Sequence, residues 1–225
     1  MLGLDGIRIA RFPKLAEAMD AAVMAGHLRA LDWAGSVRAK AFVDGDVCRL
    51  QYHGNMALVL GRMFATGDEA GAYERNALAP LGRTAVVDDL GLALSVFPAC
   101  GELPTLVEAT DPERVARVLG ATPAGIDLVR FTRTPRCVLR YRLPSGVSVY
   151  GKVAADLSPH TPRVLAGLAA AGVVAPRLVA NDPGLHLMAF SELPGVRPRT
   201  GLLATGARVA AALHASAVEV PVVRR

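Results

Sequence analysis

Residues 137–153 read CVLRYRLPSGVSVYGKV, and their alternation decides the fold. Cys137, Leu139, Tyr141 and Leu143 alternate with Val138, Arg140 and Arg142. Val147, Val149 and Val153 then alternate with Ser148, Tyr150 and Lys152. A period of two marks a strand with one buried face. Between the runs, Pro144-Ser145-Gly146 is turn chemistry, with glycine free to take positive φ. The stretch predicts an antiparallel hairpin with Lys152 on the side away from the valines, beside Ser148 and Tyr150. Taken alone, such a lysine is an ordinary solvated charge.

Working outward, residues 126–132 predict a strand leading into this hairpin. Residues 160–171 predict a short helix with Val164, Leu165 and Leu168 inward, ending at Gly172. A fourth strand is expected over 173–180, interrupted by Pro176, then a turn at Asn181-Asp182-Pro183-Gly184 and a fifth strand over 185–190. Upstream, Thr110-Asp111-Pro112-Glu113 is a helix start, followed by the apolar stripe Val115, Val118 and Leu119.

Nearer the N-terminus, residues 12–33 predict a helix with Leu15, Met19, Val23 and Leu28 on one face, interrupted at Gly26. A second hairpin is expected over 47–65, turning at Gly54-Asn55, then a helix over 68–81 ended by Pro80. A third hairpin over 84–97 turns at Asp88-Asp89-Leu90-Gly91. His53-Gly54-Asn55 is not read as a catalytic loop, because it lies where a turn is needed and no aspartate stands two residues after the histidine. The fold class is α+β, with antiparallel hairpins carrying one helix each, twice over.

Two short matches suggest a repeat. Leu60-Gly61-Arg62-Met63 matches Tyr150-Gly151-Lys152-Val153, and Asp89-Leu90-Gly91-Leu92 matches Asp182-Pro183-Gly184-Leu185. A degenerate duplication and a coincidence of composition both remain open. In a duplication, Arg62 stands where Lys152 stands, a fixed cation that could hold structure without holding a nucleotide.

Composition narrows the class. At 52% hydrophobic and 20% charged, the chain is globular rather than disordered. Its apolar runs fall short of the ~20 residues of a membrane span, and its first residues lack a signal-peptide pattern. Cys48, Cys100 and Cys137 are widely spaced, which predicts buried thiols and a cytoplasmic setting. The net charge of +5 suits an anionic ligand. The cations are scattered and aromatics are only 5%, so a nucleic-acid partner is not expected.

The run Arg130 to Tyr141, with Val149-Tyr150-Gly151-Lys152-Val153, resembles the small-lobe hairpin of the aminoglycoside-phosphotransferase and choline-kinase-like family, which has a protein-kinase-like fold. Glu102-Leu103-Pro104-Thr105-Leu106 resembles the approach to that lobe, Ser191-Glu192-Leu193-Pro194-Gly195 its hinge, and residues 209–216 (VAAALHAS) the helix opening the large lobe. Placement of 1–100 is similar to the N-terminal cap of maltokinase-like members.

The resemblance implies three segments: a cap over 1–100, a nucleotide-binding small lobe over 101–195, and the start of a large lobe over 196–225. It implies ATP as ligand, with Lys152 gripping phosphates, Arg133 and Arg136 over them, and Val138, Glu192 and Leu193 completing the site. A small-molecule acceptor of the sugar, aminoglycoside or choline type would bind the full-length protein.

Phosphoryl transfer in this class also needs carboxylates for Mg²⁺ and an aspartate to orient the hydroxyl. After Glu192 the only acid is Glu219, and no His-x-Asp loop follows. The expectation is a nucleotide-binding lobe without its catalytic lobe, inactive as it stands, with Mg²⁺ entering only alongside the missing lobe. The turn 134–136 holds no glycine, and the helix 160–171 holds no acid to pair with Lys152, leaving Asp156 as the nearest substitute. The alternative is a stand-alone pseudokinase-like module that binds a nucleotide or partner without catalysis.

Overall fold

A computed structural model describes residues 11–33, 36–54, 58–132 and 134–193. The chain divides into two compact units, Met1–Val107 and Glu108–Arg225. Both are α+β, and each is built on one five-stranded antiparallel sheet.

In the first unit, α1 (Leu15–Met19) and α2 (Ala21–Leu28) replace the single predicted helix. The break falls at Asp20, not at Gly26. Asp20 leaves helical geometry, and its carboxylate accepts hydrogen bonds from the amides of Ala22 at 2.7 Å and Val23 at 3.1 Å. A short acid that satisfies free amides is a better helix start than a helix interior. The restart changes the phase of the apolar face. Met24 and Leu28 are buried, while Val23 is 41% exposed.

Strands β1 (Arg38–Asp44), β2 (Val47–His53), β3 (Leu58–Met63), β4 (Thr84–Val87) and β5 (Leu92–Val96) run in the order β1-β2-β3-β5-β4. Helix α3 (Gly67–Tyr73) links β3 to β4, continuing as a wide π turn over Glu74–Leu78 and a 3-10 turn over Ala79–Leu81. Pro80 therefore lies in the first turn of that last segment rather than ending one long helix. Lacking an N–H, proline fits where no helical donor is required.

The second unit begins in α4 (Leu106–Ala109), followed by α5 (Pro112–Leu119). Asp111 caps α5, accepting from the Glu113 amide at 2.9 Å. Strands β6 (Gly125–Phe131), β7 (Arg136–Arg142), β8 (Ser148–Ala154), β9 (Leu178–Asp182) and β10 (Leu187–Ser191) run in the order β6-β7-β8-β10-β9. Helix α6 (Thr161–Ala170) links β8 to β9, and none of its residues is fully buried, so Val164, Leu165 and Leu168 are only half-buried.

Strand β9 starts after Pro176, five residues later than its pattern predicts. Proline has no ladder donor, and the first amide beyond it, that of Arg177, is taken by the Ser191 hydroxyl oxygen at 2.9 Å. The central alternation holds: Cys137, Leu139, Tyr141, Val149 and Val153 are buried. Leu143, half-buried, and Val147, 55% exposed, are the exceptions, because both lie between β7 and β8 rather than in them.

The two sheets share more than strand order. Cys48-Arg49-Leu50-Gln51-Tyr52 on β2 and Cys137-Val138-Leu139-Arg140-Tyr141 on β7 carry the same Cys-x-Leu-x-Tyr pattern in the same register. Leu50 faces Gly61 as Leu139 faces Gly151, and Tyr52 faces Val59 as Tyr141 faces Val149. Each tyrosine is fully buried and donates its hydroxyl to a helix carbonyl: Tyr52 to Ala18 and Tyr141 to Ala109, both at 2.9 Å. Each carbonyl lies two residues before a capping aspartate, Asp20 or Asp111. Leu92 and Leu187 also correspond, since each lies against the repeat glycine of its own unit. The second sequence match therefore slips by two residues, pairing Leu92 with Leu185 instead. The chain is an internal repeat in topology, register and buried contacts.

Tyr52→Phe and Tyr141→Phe are each expected to lower stability by about 1–2 kcal/mol, because a buried carbonyl loses its donor. Urea denaturation of the two variants checks this, and equal costs are expected because the bonds are equivalent.

Candidate functional site

The second sheet has a core face and a polar face. Cys137, Leu139 and Tyr141 of β7 point to the core. Val138 and Arg140 share the other face with Tyr150 and Lys152 of β8, where Val138 lies opposite Lys152 and Arg140 opposite Tyr150. On the far side of β8, Met188 and Phe190 of β10 lie opposite Lys152 and Tyr150. The hairpin thus places Lys152 at mid-sheet between apolar neighbours, exposed at its own position.

The acids of this face are engaged. Asp156 holds Arg136 through both guanidinium contacts, one of them at 3.1 Å. The hydrogen bond and charge of Arg136 hold the Asp156 carboxyl below its ordinary pKa, Lys152 adding a smaller effect. Asp127 takes Arg140 at 2.9 Å and Arg142 at 3.2 Å. Glu192 accepts a hydrogen bond from the Tyr150 hydroxyl at 3.1 Å. Among the described residues, Lys152 has no ion-pair partner.

The predicted site residues separate on this map. Lys152 and Val138 are brought side by side. Glu192, just past β10, is tied back to β8 through Tyr150, and Leu193 beside it is 44% exposed. Arg136 lies on the same face but is committed to Asp156, so Asp156 is the partner of Arg136 rather than of Lys152. Arg133 lies outside the described residues, as do Asn55 and all of 194–225, including the helix expected over 209–216. Tyr150, which holds Glu192, is not among the expected site residues, although its two-residue spacing from Lys152 already put both on one face.

The equivalent position in the first unit is closed. Glu102 accepts from Arg49 at 2.7 and 2.5 Å and pairs with Arg62 at 3.4 Å. The Arg62 guanidinium also lies over the rings of Tyr73, at 4.9 Å, and Phe64, at 5.4 Å. The carboxylate raises the Arg49 pKa further above its ordinary value. A carboxylate of the chain itself therefore sits on the cation that corresponds to Lys152.

Cys48, Cys100 and Cys137 are buried as thiols. Burial pushes the thiols of Cys48 and Cys100 up to about 11, so neither is a thiolate at neutral pH. Among the described residues, no three His, Cys, Asp or Glu side chains come together to seat a metal ion. No described helix is long and apolar enough to cross a membrane. Neither a family model nor a curated protein matches the sequence.

Proposed function

We propose that the second unit is the nucleotide-binding lobe of an ATP-dependent small-molecule phosphotransferase, and that it binds rather than transfers. One observation carries this reading. Among the described residues, every acid identified on the polar face is engaged by a neighbour, while Lys152 stands without an ion pair at the centre of that face. A lysine whose neighbouring acid is taken up by an arginine keeps its charge available for a polyphosphate. Val138 and Met188 on either side keep other polar groups from its base. Carboxylates for a metal would come from outside the described residues, so no step is assigned to Mg²⁺ here.

The test is calorimetric titration of ATP into the whole chain and into Lys152→Met. The wild type is expected to bind one ATP, and the variant to bind about tenfold more weakly, as loss of a charge-assisted hydrogen bond gives. Its thermal stability should not change, since Lys152 is exposed and outside the core. Unchanged ATP affinity in Lys152→Met, or no binding by the wild type, refutes the reading.

A further inference from the structure

We propose that Arg130 is a second phosphate-binding cation, brought onto the Lys152 face by an irregularity in β6. This rests on the reading of the face as a polyphosphate site and adds one residue to it. Strand β6 pairs regularly with β7 from Gly125 opposite Arg142 to Leu128 opposite Leu139. Continued without interruption, that register would set Arg130 opposite Cys137, which is fully buried on the core face. The register instead shifts between Leu128 and Arg130, so that Arg130 lies opposite Val138 and Phe131 opposite Cys137. One extra residue, Val129, makes the difference. A bulge of this kind re-aims a side chain.

The shift moves an arginine off the core side and onto the polar side. Arg130, Val138 and Lys152 then form one row across β6, β7 and β8. With neighbouring strands about 4.8 Å apart, the two cations are based roughly 10 Å apart across the row. Arg130 is exposed and, like Lys152, has no ion pair among the described residues. The other arginines here are spoken for, Arg136 by Asp156 and Arg140 and Arg142 by Asp127.

The role expected of Arg136 thus falls to Arg130. Two uncommitted cations flanking an apolar residue suit a chain of phosphates more than a single one. The class of ligand is a nucleoside di- or triphosphate, held by its phosphates from two sides. Guanidinium geometry allows paired hydrogen bonds to one phosphate, which an ammonium cannot make.

The experiment titrates ATP, AMP and inorganic tripolyphosphate into the whole chain and into Arg130→Gln, Arg130→Lys, Arg142→Gln and Lys152→Met. Arg130→Gln is expected to weaken ATP and tripolyphosphate alike, about fivefold each, as for an exposed charged contact. Arg130→Lys should recover part of that loss. Arg142→Gln changes the net charge equally but lies at the far end of the face, and should leave both affinities within about twofold.

Lowered ATP affinity in Arg130→Gln with unchanged Arg142→Gln supports the assignment. Equal losses in the two variants would make the effect one of net charge and overturn it. Wild-type affinity in Arg130→Gln beside a weakened Lys152→Met would remove Arg130 and leave the site reading standing. If the wild type binds neither ATP nor tripolyphosphate, both readings fall together.

Discussion

Gly151→Ala is expected to destabilise the second unit by about 3 kcal/mol, at the upper end of what one added methyl costs in a filled core. A β-carbon at Gly151 would stand 2.5 Å from Cε2 of Tyr141 and 2.8 Å from Cδ1 of Leu187. Neither neighbour has room to withdraw. Both are fully buried, and Tyr141 is held by its hydroxyl bond to Ala109. The glycine is therefore what lets the tyrosine cross under β8 to reach the helix.

Gly61→Ala is the matched control. There the nearest atoms are 3.2 Å away, on Leu50, Leu92 and Tyr52. A shift of a few tenths of an ångström accommodates the methyl, and a cost near 1 kcal/mol is expected. Calorimetric melting of both variants measures the difference. Equal costs at the two positions would show that the close approach at Gly151 is not what the position requires.

Glu102→Ala is expected to cost about 2 kcal/mol, because it leaves Arg49 and Arg62 facing each other, partly buried and without their shared carboxylate. The three side chains are only 21–27% exposed, so water recovers part of the loss but not all. Arg62 keeps its place over Tyr73 and Phe64, which limits the damage to the charge itself. Glu102→Gln should fall between wild type and alanine, since an amide oxygen still accepts from one guanidinium. Urea unfolding distinguishes these, and a change in Glu102→Ala below about 0.5 kcal/mol, the size of an ordinary surface substitution, would show the cluster to be ornamental.

The same cluster marks how the two repeats differ in chemistry. The three central strands of each sheet share one register, yet the cation on the third strand meets opposite fates. In the first unit the segment following β5 returns Glu102 to Arg62. In the second, the residue following β10, Glu192, goes to Tyr150 instead, and Lys152 stays uncovered. The proposed binding function depends on that difference rather than on the sheet.

The sequence alone determined what depends on neighbours a few residues away. Alternation across 137–153 settled the hairpin and the face of Lys152, because successive side chains on a strand point to opposite sides. The α+β class, the start of α5 at Asp111-Pro112 and the turn at Gly91 followed from equally local rules. The Cys-x-Leu-x-Tyr pattern, written at 48–52 and again at 137–141, went unnoticed in the sequence, and the register of β2 and β7 brought it out.

Tertiary structure decided the rest. Asp20 rather than Gly26 ended the first helix, because a capping carboxylate outweighs the weak helix cost of an exposed glycine. Asp156 went to Arg136, 20 residues away, and Glu102 to Arg49, 53 residues away. No periodicity encodes such pairings, since they depend on where the sheet brings distant chain segments together. The bulge that sets Arg130 beside Val138 is of the same kind: one residue of strand slippage, invisible in the pattern of β6, chooses which face receives its charge.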